Sequence, residues 1–159
     1  MERLANSSHP YMVPAQIFPT ADGWLTLFIT HDKFWQKFCN EVGRPEWITD
    51  PAYATMASRR DNRALVLSSI AGVLLEAPAS EWVRRLAPLG VVAAEVGTMA
   101  QALESDQAAS RDMIVQLGDG TQPLRAVGSA VKFDGFTPTY SLPPLLDEHH
   151  EAVLGKAAA

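Results

Sequence analysis

Cysteine occurs once in the 159 residues, so the chain can form no internal disulfide. Positive charge is also in short supply: 13 lysines and arginines face 18 acidic residues, for a formal net charge of -5. That balance argues against a nucleic-acid or anionic-membrane surface. The densest basic pairs, Arg59-Arg60 and Arg84-Arg85, fall in helical patterns and read as solvated faces. No apolar run approaches the ~20 residues of a membrane span. The first residues, "MERLANSSHPYMV", contain no apolar signal core, so the expected location is the cytoplasm.

Motifs of self-contained chemistry are missing too. "GDG" at 118–120 lacks the G-x-G-x-x-G spacing of a nucleotide loop and has no helix after it. A Ser/His/Asp triad can be assembled on paper from many residues, Ser7, Ser8, His9 and Asp22 among them, but no G-x-S-x-G elbow frames them. Cys39 sits in the apolar helical pattern "FWQKFCNEVG", where an inert buried thiol is expected.

What remains is an ordinary globular composition, 47% hydrophobic and 19% charged, on a chain long enough for one continuous core. Residues 1–14 are polar and proline-marked and read as an extended entry segment. "AQIFPTADGWLTLFIT" predicts a hairpin, Gln16 to Phe18 and Trp24 to Thr30, turning at Asp22-Gly23 through positive backbone angles. Phe34, Trp35, Phe38 and Val42 recur at helical spacing up to Gly43. A long helix is expected from Ser58 to Glu76, with Leu65, Leu67, Ile70, Val73 and Leu74 on its core side. Pro78 breaks it; Ser80 is the expected N-cap of the next helix, which Gly90 ends.

"VVAAEV", "MIVQL" and "LRAVGSAVKF" read as extended chain, with two short helices between the first two. "GDGTQP" reads as a turn, and "DGFTPTYSLPPLL" as a proline-rich crossing segment. The order implies an α+β fold: a small antiparallel sheet with several helices. The expected divisions are an entry segment at 1–14, a small α+β domain at 15–130, and a return segment with terminal helix at 131–159.

"PPLLDEHHEAVLG" poses a separate question. On a helix, Asp147, His150 and Glu151 share a face and could approach a metal ion. Adjacent His149 and His150 point about 100° apart and do not ligate together easily. The simpler reading is a helix start, with Asp147 as the cap and Glu148 and Glu151 favouring the dipole of a helix from Glu148 to Leu154.

Seven blocks in order resemble the C-terminal part of class III (CaiB/BaiF-type) CoA-transferases, the family that includes formyl-CoA transferase and α-methylacyl-CoA racemase. They are "RLANSSHPYMVPAQIFPTADGW", "FWQKFCNEVGRPEW", "DPAYATMASRRDNR", "EWVRRLAPLGVVAAEV", "SDQAASRDMIVQL", "VKFDGF" and "PPLLDEHHEAVLG". The last is similar to the family's P-P-x-L-G-E-H-T segment: Pro143, Pro144, Leu146, Glu148 and His149 match, Asp147 stands for the glycine and His150 for the threonine. Asp147 would then occupy a turn whose backbone angle suits glycine better. The resemblance implies no metal and no resident cofactor.

It further implies that a coenzyme A thioester is the substrate, bound mainly by an N-terminal Rossmann-like half that also supplies the catalytic aspartate. Nothing in this chain matches that aspartate, so no catalytic residue is expected here. The implied partners are an acyl-CoA, that N-terminal half, and further subunits of a homo- or hetero-oligomer. Asn6, Ser7, Ser8, His9 and Pro10, at the entry to the small domain, are the implied substrate contacts. They lack the glycine run of formyl-CoA transferase, which leaves a formyl or oxalate substrate without its matching loop. The expected function is that of part of an acyl-CoA transferase, inactive by itself; a racemase-type fragment and a non-catalytic interaction module are the alternatives.

Overall fold

A computed structural model describes residues 4–118 and 124–155. The chain forms two compact units, Met1–Val96 and Gly97–Ala159. The division falls inside the 15–130 stretch expected from sequence to be one domain. The architecture is α+β, with small antiparallel sheets and several helices.

In the first unit, strands β1 (Ala15–Pro19) and β2 (Trp24–Phe28) pair antiparallel, and β3 (Val92–Glu95) joins the other edge of β2. The hairpin lies where the Asp-Gly signal put it, but Gly23 does not take a positive φ. Asp22 has a different task. Its carboxylate accepts hydrogen bonds from Thr20 Oγ1 at 3.2 Å and from the backbone N–H of Ala79 at 2.9 Å. Ala79 opens helix α4 (Ala79–Leu86), so Asp22 caps that helix from a distant turn and Ser80 does not. A short 3-10 turn follows α4, and Gly90 closes it in the left-handed region at φ 76°.

Helix α1 (Asp32–Glu41) buries Trp35, Phe38 and Cys39, and Gly43 follows it at φ 71°. The long helix expected at 58–76 is two: α2 (Met56–Asp61) and α3 (Arg63–Leu74), parted at Asn62, whose φ of -105° and ψ of 29° leave the helical region. Thr55 caps α2 through a side-chain bond from Ser58 N–H. The break also rotates the buried face. Val66, Ile70, Val73 and Leu74 are buried, whereas Leu65, expected in the core, is exposed.

One basic pair reads differently in three dimensions. Arg60 is a surface residue, but Arg59 is fully buried. Its guanidinium donates to Val13 O and Tyr53 O, both at 2.9 Å, and to Asp32 Oδ1 at 2.8 Å. It also lies 4.6 Å from the Trp35 ring centre, within cation–π range. Trp35 in turn stacks on Phe38 and Trp47, and Trp47 on Tyr53. Arg85 is no freely solvated charge either: it is paired with Glu41 at 2.8 Å and packed on Trp82.

The second unit contains helices α5 (Met99–Leu103) and α6 (Asp106–Ser110), and a two-stranded sheet of β4 (Ile114–Leu117) and β5 (Leu124–Val127). A Thr98–Gln101 capping box starts α5, and the Ser105 hydroxyl starts α6. The expected turn at 118–123 lies almost entirely outside the described residues. Gly128 sits where a Cβ would come within 2.9 Å of Val115 Cγ1 and 3.0 Å of Asp112 O, so the backbone there is too close for any side chain.

The terminal helix α7 spans only His150–Leu154. Asp147 does not cap it. Its φ of 64° places it in the left-handed turn that suits glycine, and its carboxylate lies 2.9 Å from His150 Nδ1. Glu148 reaches back instead to accept the Leu145 N–H.

Candidate functional site

Three stretches of the first unit enclose a cleft of about 340 Å³: the entry segment, the inner face of β1, and one side of α3. β1 contributes Gln16 and Phe18, which share a face because strand side chains alternate. α3 contributes Arg63, Leu67, Ser68 and Ala71, the spacing of one helical stripe. Leu4, Asn6 and Ser8 close the third side.

The five entry residues expected to touch substrate are therefore split. Asn6 and Ser8 line the cleft, while Ser7, His9 and Pro10 do not. Asn6 and Ser7 both hold left-handed φ angles, 53° and 54°. Asparagine tolerates that region and serine much less, so the loop stores on the order of 1 kcal/mol or more per strained residue. His9 serves the loop itself: its Nδ1 accepts the backbone N–H of Tyr11 at 3.1 Å and of Met12 at 3.0 Å.

Arg63 holds this strained loop in place. Its guanidinium donates to Ser8 Oγ at 2.8 Å, to His9 O at 2.9 Å and to Pro10 O at 2.7 Å. Nothing local in the sequence marks it for this role. Its acceptors lie more than 50 positions away, and two of them are backbone carbonyls that any residue could supply.

Neither of the other chemistry-bearing groups assembles a reactive site. Burial pushes the Cys39 thiol up from its ordinary 9.0 to about 12, so it is neither thiolate nor nucleophile at neutral pH. A thiol reagent added to the native chain at pH 7 should leave Cys39 unlabelled, and labelling should be complete in denaturant. The same shift has a sign. Stability from the protonated buried thiol is complete below pH 9 and is lost as pH rises from 9 toward 12. The stability advantage of the native chain over a Cys39→Ala variant should shrink across that window, by up to roughly 1.4 kcal/mol per pH unit. Among the described residues, no group of three or more His, Cys, Asp and Glu side chains is placed to hold a metal ion, at "DEHHE" or elsewhere.

Comparison with known proteins completes the description of the site. Residues 1–150 match the model of CoA-transferase family III. A probable fatty acyl-CoA transferase, Rv3272, of Mycobacterium tuberculosis is 29% identical over 140 residues, which cover 88% of this chain and 36% of that protein. A formyl-CoA:oxalate CoA-transferase of Escherichia coli is 32% identical over 142 residues, 83% of this chain and 33% of its own length. The crystal structure of Rv3272 in its orthorhombic form superposes with a TM-score of 0.79 at 29% identity, covering 89% of this chain and 40% of that one. The chain thus spans well under half the length of the relatives it matches.

Proposed function

The chain belongs to CoA-transferase family III, and on that premise we propose that it serves in moving coenzyme A from an acyl-CoA to a free carboxylic acid. The observation that carries this reading is the family match along residues 1–150, joined by relatives whose names specify acyl-CoA and formyl-CoA transfer. In such a transfer a carboxylate nucleophile attacks the thioester, and covalent catalysis divides one hard step into easier ones. No described residue of this chain has the setting of that nucleophile. Its part is to present the cleft as one wall of the acyl site, while a Rossmann-like partner half supplies the nucleophilic aspartate and most of the CoA contacts.

The second unit supports the need for a partner. Phe133, Phe136, Leu145, Leu146, Val153 and Leu154 are all exposed there. Large apolar patches on soluble proteins normally meet another surface. In this reading that surface belongs to the partner half, within an oligomer working in the cytoplasm.

The test is a transfer assay with acetyl-CoA and hexanoyl-CoA as donors and acetate, butyrate, hexanoate and oxalate as acceptors. The chain alone should show no transfer above background. Adding the N-terminal half of the mycobacterial relative should restore turnover. Robust transfer by the isolated chain, abolished by one substitution within it, would overturn the division of labour. No transfer by the reassembled halves with any donor would overturn the transferase reading.

A further inference from the structure

The two outer edges of the three-stranded sheet differ. On β1, Ala15 O turns outward and accepts the His9 N–H at 2.8 Å, and Pro19 has no N–H to offer. The entry segment and a proline thus close that edge. On β3, the Val96 N–H donates to Trp24 O at 2.9 Å, and this fixes the parity of the strand. Val92, Ala94 and Val96 face β2, while Ala93 and Glu95 turn their N–H and C=O outward. Neither outward residue makes a backbone hydrogen bond on that side to any described residue. The stretch "VVAAEV" at 91–96 holds no proline or lysine, and its register with β2 runs without a bulge, so nothing blunts the edge. Beside it the outer face of the sheet is apolar and uncharged. Trp24 is 48% exposed there, Val92 62% and Val96 45%.

We propose that β3 pairs antiparallel with β3 of a second copy of this chain, about a two-fold axis at Ala94, joining two three-stranded sheets into one. A two-fold contact must be self-complementary, and this edge is so in one register. With the axis at Ala94, Ala93 stands against Glu95 of the second copy and Glu95 against its Ala93, and both pairs exchange their N–H and C=O groups. An axis at Glu95 would set two carboxylates directly opposite each other. An axis at Ala93 would set Glu95 against Val91, whose N–H is already given to Leu86 O at 3.3 Å. At Ala94 every outward group is matched and no like charges oppose. On the outer face Val92 then meets Val96 of the second copy. Alanine meets alanine on the axis, where a non-hydrogen-bonded pair brings Cα atoms to about 4.5 Å and small side chains fit. A different chain would need a charge to be selected by, and the outer face offers none. The contact is short, so the dimer is reversible and concentration-dependent. It stands on the first unit alone and is independent of the transferase reading.

Disulfide trapping in the full chain tests this. Ala94→Cys should cross-link two copies in oxidised glutathione, because paired Cα atoms at about 4.5 Å suit that bond. Native Cys39 is buried and does not compete. Leu146→Cys, on a fully exposed residue, gives the rate of chance collision, which Ala94→Cys should exceed at least tenfold. Val92→Cys, which faces Val96 of the second copy, should stay at the chance rate. Without oxidant, sedimentation of the unaltered chain should show concentration-dependent dimers. The Ala93 and Glu95 amides should exchange at least tenfold more slowly at high than at low protein concentration. Ala93→Pro removes an outward N–H and spares the bonds to β2, so it should weaken the dimer at least tenfold; unchanged exchange at Thr26 and Val96 reports that the sheet is native. Equal cross-linking of Ala94→Cys and Leu146→Cys would overturn the proposal. So would a monomer at every concentration, or a dimer that survives Ala93→Pro and dissolves on Phe133→Ser.

Discussion

Arg59→Leu should lower the free energy of unfolding by about 3 kcal/mol or more, a large part of what holds a domain of this size together. The leucine cannot donate to Val13 O or Tyr53 O, and both carbonyls lose the partner that Arg59 gave them inside the fold. Each buried orphan acceptor costs on the order of 1–3 kcal/mol. The planar guanidinium stacked over Trp35 also leaves a gap that leucine does not fill in the same shape. Little of the loss comes from the ion pair, because Asp32 is 54% exposed and regains water once Arg59 is gone. Asp32→Asn should therefore cost less than about 1 kcal/mol. Arg60→Leu, one residue along, should change stability by less than about 0.5 kcal/mol. Arg59→Lys should not rescue, since one ammonium cannot serve three acceptors spread around a fork. Urea midpoints of the four variants decide the matter; equal losses for Arg59→Leu and Asp32→Asn would contradict it.

Trp35→Ala should be comparably severe, about 3–5 kcal/mol. Its indole is fully buried between Phe38 and Trp47, and its Nε1–H points to Trp47 O at 3.4 Å. Alanine leaves a cavity walled by aromatic rings that are held by their own stacks, so collapse into the space is limited. Trp35→Phe should cost less, because part of the stack survives. The double variant Trp35→Ala with Arg59→Leu should cost less than the sum by at least about 0.5 kcal/mol, since each residue packs on the other. Strict additivity in denaturant unfolding would show that the cation–ring contact carries no energy.

These two residues also mark where sequence reading stopped. The α1 stripe was plain from spacing, and Trp35 and Phe38 fell on it. Arg59 departs from the solvated face expected of it because adjacency to Arg60 says nothing about which face each occupies. The Thr55 cap, three residues before the start expected at Ser58, and the break at Asn62 set that face, and the pattern running unbroken to 76 marks neither. The hairpin and β3 were legible because short alternating runs and turn residues act locally. Asp147 shows the converse. Its acidic setting resembled a cap, but its left-handed backbone follows from the turn, as the family's glycine implied. Of the cleft, only the entry segment was visible beforehand, through resemblance. Gln16, Arg63 and Ala71 converge on it from a strand and a helix that sequence distance does not connect.

The reach of Asp22 bears on the order in which this fold assembles. A two-strand hairpin is usually the fastest part of a sheet to form, within microseconds. Here the turn carboxylate is finished by an N–H 57 residues downstream, and the same sheet is completed by β3, which follows α4. The turn's polar atoms therefore remain dependent on water until α4 docks. Closing so long a loop is an entropic barrier that must be crossed before those bonds give anything back. The hairpin thus begins early and is locked late, and α4 is the element whose arrival commits the first unit to its final form.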